Sequence, residues 1–98
     1  MTNVVFLGPA EAEMLGAAEF YEGQALALGQ DFLDEVQSAI EGLKLNPSSG
    51  GLVRGEIRRR FLRRFPFGIL YRVDQDEIVI IAIMHLRRRP GYWENRIV

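Results

Sequence analysis

Val4, Val5, Phe6 and Leu7 form a short β-prone run that Gly8-Pro9 stops, and this predicts a first strand. Pro9 suits the first turn of a helix, where its missing N–H has no partner to lose. From there Ala10, Met14, Ala18, Tyr21, Ala25 and Leu28 recur at steps of four and three, the stripe of one helix. Gly29 breaks the pattern, and Asp31 is placed to cap a second helix. Phe32, Val36, Ile40 and Leu43 mark its buried side, and Asn46-Pro47 ends it. Two amphipathic helices with so short a joint are expected to pack as an antiparallel hairpin. Glu13, Glu22, Asp34 and Glu41 are expected on its outer faces.

After Asn46–Gly51, a loop by composition, the period changes. Glu56–Leu62 reads as a strand in which Ile57, Phe61 and Leu62 are separated by Arg58, Arg59 and Arg60. Arg63–Pro66 is a tight connection. Phe67, Ile69, Tyr71 and Val73 then alternate with Gly68, Leu70 and Arg72, and Asp74–Glu77 is a polar turn. Ile78–His85 is apolar on both faces, as in a strand covered on both sides. The order is β-α-α-β-β-β. Short connections make the last three strands an antiparallel meander. The expected fold is α+β, a helical hairpin packed on a twisted, mainly antiparallel sheet, with a basic C-terminal tail from Leu86 to Val98.

Ninety-eight residues make one domain, residues 1–98, of ordinary globular composition with 48% hydrophobic and 26% charged residues. The absence of cysteine excludes disulfides and thiolate metal sites. The longest apolar run, Ile78–Met84, is far below the ~20 residues of a membrane span, so no membrane association is expected. No basic region precedes Lys44, so no secretory signal is expected and the chain reads as cytoplasmic. The net charge of −1 conceals a division. Residues 1–53 carry eight acids against Lys44, net −7, whereas residues 54–98 carry eleven arginines against five acids, net +6.

Candidate chemistry follows from that division. Ser38, Ser48 and Ser49 lie in no nucleophile-elbow context with His85, and Ser48-Ser49-Gly50-Gly51 lacks the lysine of a phosphate loop. No metal site and no cofactor are expected. What remains is arginine interleaved with aromatics, in Arg58–Phe65 and in His85–Trp93. Guanidinium groups grip phosphate or carboxylate bidentately and stack on aromatic faces. Arg58, Arg60, Arg63, Arg64, Arg88, Arg89 and Trp93 are therefore candidates to bind a nucleic acid or an acidic protein segment. The same arginines also suit a solvated sheet edge that resists aggregation. Arg72, opposite Tyr71 in its strand, either pairs with a helix acid or lines a site. Tyr92 and Trp93 also suit docking of the tail.

Leu28–Val36 resembles the helix-hairpin joint of RelE/ParE-superfamily toxins, which include plasmid stabilisation proteins. Phe65–Val73 resembles their middle-strand motif, and Ile83–Trp93 their last strand and tail. The resemblance spans essentially the whole chain in order. It implies the toxin of a type II toxin–antitoxin module, a growth inhibitor neutralised by a cognate antitoxin from the same operon. The RelE branch cuts ribosome-bound mRNA without a metal, and its resemblance would give catalytic roles to Arg72, His85, Arg87 and Tyr92. The ParE branch binds DNA gyrase. RelE-type nucleases carry an arginine where this chain has Gly68, which places the chain closer to the ParE branch. A non-toxic degenerate binding module and a homodimer are the other expectations that the resemblance leaves open.

Overall fold

The computed structural model describes residues 2–97. Strand β1 (Asn3–Phe6) leads into helices α1 (Gly8–Gln24) and α2 (Leu28–Leu45). A 3-10 turn at Pro47–Ser49 precedes β2 (Gly51–Arg54), β3 (Ile57–Phe61), β4 (Phe67–Asp74) and β5 (Glu77–His85), and a second 3-10 turn spans Glu94–Ile97. The five strands form one sheet in the order β1-β5-β4-β3-β2. β1 runs parallel to β5, with Val4 opposite Ile78 and Phe6 opposite Ile80, and all other pairs are antiparallel. The α+β class, the hairpin and the meander are as the sequence predicts. The difference is β2, which begins at the last residue of the expected loop and adds only Leu52, Val53 and Arg54, too short a run to show a period of its own. Among the described residues, no helix is long and apolar enough to cross a membrane.

The hairpin joint uses different residues from those the pattern predicts. α2 begins at Leu28, and its capping position is Ala27, held in the left-handed region at φ 67°. Ala27 carries no capping side chain. Instead the Glu22 carboxylate reaches across the joint and accepts the N–H groups of Ala27 (2.9 Å) and Gly29 (3.0 Å). These are among the orphan donors that every helix start must satisfy. Gly29 lies within α2, where it allows close helix contact: a Cβ there would sit 2.4 Å from the Ala18 carbonyl oxygen.

The sheet separates two cores. Under the hairpin, Phe32, Val36, Ile40 and Leu43 of α2 pack on Ile69, Tyr71, Ile78, Ile80 and Ile83. Tyr21, Phe32, Phe65 and Phe67 meet there edge-on or tilted, at centroid separations of 4.8–6.2 Å, an arrangement that aromatic quadrupoles favour. The fully buried Tyr71 donates its hydroxyl to Pro47 O (2.7 Å) and accepts the Gly50 N–H (3.0 Å), which pins the first 3-10 turn. On the opposite face Ile57, Leu70, Ile81, Ala82, Met84 and Trp93 form the second core, with Leu7, Tyr92 and Ile97 partly buried against it. A register shift between Leu70 and Tyr71 of β4 lets Leu70 pair with Ala82 and Tyr71 with Ile80. This bulge brings both Ile81 and Ala82 into the second core.

Two glycines of the hairpin have opposite energetics. Gly29→Ala is expected to lower unfolding free energy by about 1–3 kcal/mol, because backbone must move to admit the methyl group. Gly16 of α1 has open space around its Cβ direction. Gly16→Ala is therefore expected to raise stability by up to about 1 kcal/mol, the helix-propensity difference. Urea unfolding midpoints measure both. Equal midpoints for wild type and Gly29→Ala would contradict the contact.

Candidate functional site

The arginines divide by strand alternation. On β3, Arg58 and Arg60 lie on the helix side of the sheet, whereas Ile57, Arg59 and Phe61 lie on the other. Arg58 Nη1 donates to the carbonyls of Gly50 (2.8 Å) and Ser48 (3.2 Å), and Arg60 Nη1 lies 3.5 Å from Ser49 Oγ. These two side chains brace the chain leading into β2. The β3–β4 connection is fixed by Glu35, which accepts the backbone N–H groups of Arg63 and Arg64. Arg64 also pairs with Asp31 at 3.3 Å, and Arg54 pairs with Glu94 of the tail. Among the described residues, the side chains of Arg59, Arg63, Arg72, Arg87 and Arg89 form no ion pair and no side-chain hydrogen bond.

The aromatics of the basic half are engaged. The guanidinium of Arg59 lies 4.5 Å from the Phe61 ring centroid, that of Arg64 5.3 Å from Phe65, and that of Arg88 3.9 Å from Tyr92. Trp93 is 3% exposed and belongs to the second core, so its ring docks the tail and is not a surface group for a target. The Arg59 stem covers Gly68: a Cβ on Gly68 would lie 3.0 Å from both Arg59 Cγ and Cδ.

The tail is clasped at the edge of β5. β1 pairs only as far as Ile80, where Leu7 N–H donates to the Ile80 carbonyl at 3.0 Å. Beyond that point side chains replace the missing strand. The Ile83 N–H donates to Glu13 Oε1 (3.1 Å), and Arg96 Nη1 donates to the Ile81 carbonyl (3.1 Å). Arg96 and Glu13 form a bidentate pair at 2.8 and 2.9 Å, and Tyr92 Oη donates to Glu13 Oε2 at 2.7 Å. The two charged side chains are only 15% and 17% exposed. Glu13 therefore faces the sheet and tail, not solvent as its helix position suggests. Burial pushes the Glu13 carboxyl up. The bonds from Arg96 and Tyr92, the Arg96 charge and the Ile83 N–H outweigh that and hold it below the ordinary carboxylate range. Burial, with donation to Glu13 and the carboxylate's charge, drives the Tyr92 phenol well above its usual range.

The four residues proposed for a nuclease are not assembled. Gly68, Leu70 and Arg72 share the face of the second core, away from the helices, so no helix acid reaches Arg72. His85 lies directly opposite Phe67 on β4, and the two rings meet edge to face at 5.0 Å on the helix side. Arg72 and His85 are thus on opposite faces of the sheet. His85 Nδ1 accepts the Arg87 N–H at 3.0 Å, and the Arg87 side chain is exposed in the following turn. Tyr92 is held by Glu13. Sequence reasoning missed Arg59, Glu13 and Arg96. Alternation separates Arg59 from its neighbours, but no local signal pairs Glu13 with a residue 83 positions away. Among the described residues, no three His, Asp or Glu side chains converge to hold a metal ion.

The family described as the ParE toxin of type II toxin-antitoxin system, parDE, matches residues 4–90. Among solved structures, a chain of the chromosomal ParDE TA system from P. aeruginosa is similar, with a TM-score of 0.64 and 25% identity. The similarity covers 87% of this chain and 96% of that chain. No curated protein is a significant match.

Glu13→Gln is expected to destabilise the fold by about 2–3 kcal/mol, since Arg96 loses its charge-assisted bonds while remaining largely buried. Because the folded carboxyl titrates below its unfolded value, its contribution is complete above about pH 4.5. It is lost as pH falls through the folded pKa. Urea unfolding between pH 7 and pH 3 should show the wild-type advantage over Glu13→Gln shrinking on the acid side. A constant gap would refute the linkage.

Proposed function

We propose that this chain, which belongs to the ParE toxin family of type II toxin–antitoxin systems, inhibits DNA gyrase by binding it and is neutralised by a cognate antitoxin from the same operon. The observation that carries the binding reading is the separation of the groups a nuclease would use. Cleaving a phosphodiester without a metal requires a base, an acid and a cation converging on one phosphate within hydrogen-bond reach. Arg72 and His85 face opposite sides of the sheet, and the Tyr92 phenol is held protonated by Glu13 and by burial. RNA recognition also favours free aromatic faces on which bases stack. In the basic half Phe61, Phe65 and Tyr92 already carry guanidinium groups, and Trp93 is buried.

The same surface suits a protein partner. Arg63 of the β3–β4 connection and Arg87 and Arg89 of the turn after β5 lie at one end of the sheet, where the Leu86 N–H donates to the Pro66 carbonyl at 2.9 Å and joins the two loops. β2 is a short edge strand with all four residues exposed, including Leu52 and Val53, and the unpaired Arg59 lies on neighbouring β3. An acidic antitoxin segment that orders on binding would find backbone edge, apolar side chains and guanidinium groups together. Charge complementarity of this kind accelerates association and makes it salt-sensitive.

Purified protein should inhibit gyrase supercoiling at micromolar concentration, and translated messages should remain intact in primer extension after induction. Arg87→Glu combined with Arg89→Glu, both exposed, should weaken the inhibition about tenfold or more without altering the circular dichroism spectrum. Unimpeded gyrase together with codon-linked cuts in messages would reverse the assignment.

A further inference from the structure

α1 leaves an aromatic ring in solvent for which the fold has no use. Phe20 is 61% exposed and touches Tyr21 edge-on at 5.4 Å. It borders a groove of about 400 Å³ between α1 and the end of β5, lined by Gly16, Ala17, Phe20, Tyr21, Phe67 and Ile83 with Glu13, His85 and Arg88. The floor is a run of aromatic contacts, Phe20 to Tyr21, Tyr21 to Phe67 and Phe67 to His85. The α1 wall is low because Gly16 has no side chain, and nothing lies within 4 Å of where its Cβ would be. Within the molecule a glycine there only weakens the helix.

The charges around the groove are specific. Glu13 is spent on Arg96, Tyr92 and the Ile83 N–H. His85 has committed Nδ1 to the Arg87 N–H, which leaves Nε2 as its other polar atom. The Arg88 guanidinium stacks on Tyr92, and among the described residues no carboxylate answers it. One cation and one imidazole beside an apolar floor select an apolar group with a single carboxylate near it. A polyphosphate is disfavoured, since α1 also carries Glu11 and Glu19 on its exposed side. We infer that this groove takes a large apolar or aromatic side chain of a partner protein, with an adjacent carboxylate held by Arg88 and His85. The inference is independent of whether gyrase is the target.

The test uses the full chain, ¹⁵N-labelled, and small probes of defined chemistry. Indole-3-acetate should shift the amides of Gly16, Phe20, Ile83 and His85 saturably, with a Kd of about 1 mM for a ligand of its size. Its neutral isostere indole-3-acetamide should bind about tenfold more weakly, and Arg88→Gln should narrow that difference to about threefold or less. Gly16→Leu, which fills the groove from a position with open space, should weaken indole-3-acetate at least tenfold while leaving the other amides in place. Phe20→Ala should weaken it through loss of the exposed ring and gives a second, independent reading. Saturable shifts elsewhere, or none up to 10 mM, would overturn the inference. Tighter binding of uridine monophosphate than of indole-3-acetate would reassign the groove to nucleotides. Concentration-dependent shifts of these amides in the protein alone would reassign it to a second copy of the chain.

Discussion

β5 continues to His85 after β1 has made its last pair at Ile80, and the open edge that results governs much of the molecule. Backbone groups at a partly buried edge must find partners. Here they find side chains: Glu13 takes the Ile83 N–H and Arg96 takes the Ile81 carbonyl. Glu13 comes from the second turn of α1 and Arg96 from the end of the tail, so satisfying one edge ties helix, sheet and tail together. The bidentate pair between them satisfies the remaining charge, and Tyr92 closes the set. A largely buried ion pair of this sort contributes little net stability compared with an apolar substitute, yet it is costly to break on one side. Its role is to fix where the tail lies.

The position of the tail decides what the sheet can present. With Trp93, Tyr92 and Ile97 laid on Ile57, Leu70, Ile81, Ala82 and Met84, the face opposite the hairpin becomes a second core. A bare meander would have left the apolar side chains of that face, Ile57, Leu70, Ile81, Ala82 and Met84, in solvent beside Arg59 and Arg72. The basic surface lies at the ends and edges, at Arg63, Arg87 and Arg89 at one end and at Arg59 beside the exposed β2. Placing Arg58 and Arg60 on backbone and side-chain acceptors around Ser48–Gly50 removes two more guanidinium groups from the general surface. The +6 of residues 54–98 is therefore partly structural reinforcement and partly a distributed rim.

Residue periodicity carried the helices and the long strands because their buried stripes are long enough to average over exceptions. Phe32, Val36, Ile40 and Leu43 are all buried, as the spacing requires. It failed where a tertiary partner set the outcome. Gly29 looked like a helix stop, but it is needed for the approach of Ala18, and the joint falls on Ala27 because Glu22 supplies the caps. β2 is four residues long, follows Ser48-Ser49-Gly50 and begins with Gly51; pairing with β3 makes it a strand. Glu13 looked like a surface acid because α1 has little amphipathic contrast, with Leu15 and Phe20 exposed beside the charged positions. Of the candidate site, the arginine-rich segments were legible, but which guanidinium groups are free was not. That depends on alternation within β3 and on acceptors from α2 and the tail.

Gly68 shows how such couplings bear on function. Resemblance to RelE-type nucleases directs attention to an arginine at that position, and its absence reads at first as the loss of one group. In the fold the vacancy is occupied: the Arg59 stem crosses Gly68 from the neighbouring strand, and its guanidinium is held over Phe61. A side chain at position 68 would meet Arg59 Cγ and Cδ at 3.0 Å from its first carbon, so an arginine there would require the Arg59 stem to shift by a few tenths of an ångström. Position 68 is thus coupled to Arg59 and, through its guanidinium, to Phe61. In place of a cation rooted on β4, the fold has one rooted on β3, one strand in from the exposed edge strand β2. A cation at the centre would serve chemistry on a phosphate drawn into the fold. A cation one strand in from β2 suits the proposed contact with a partner laid along that edge.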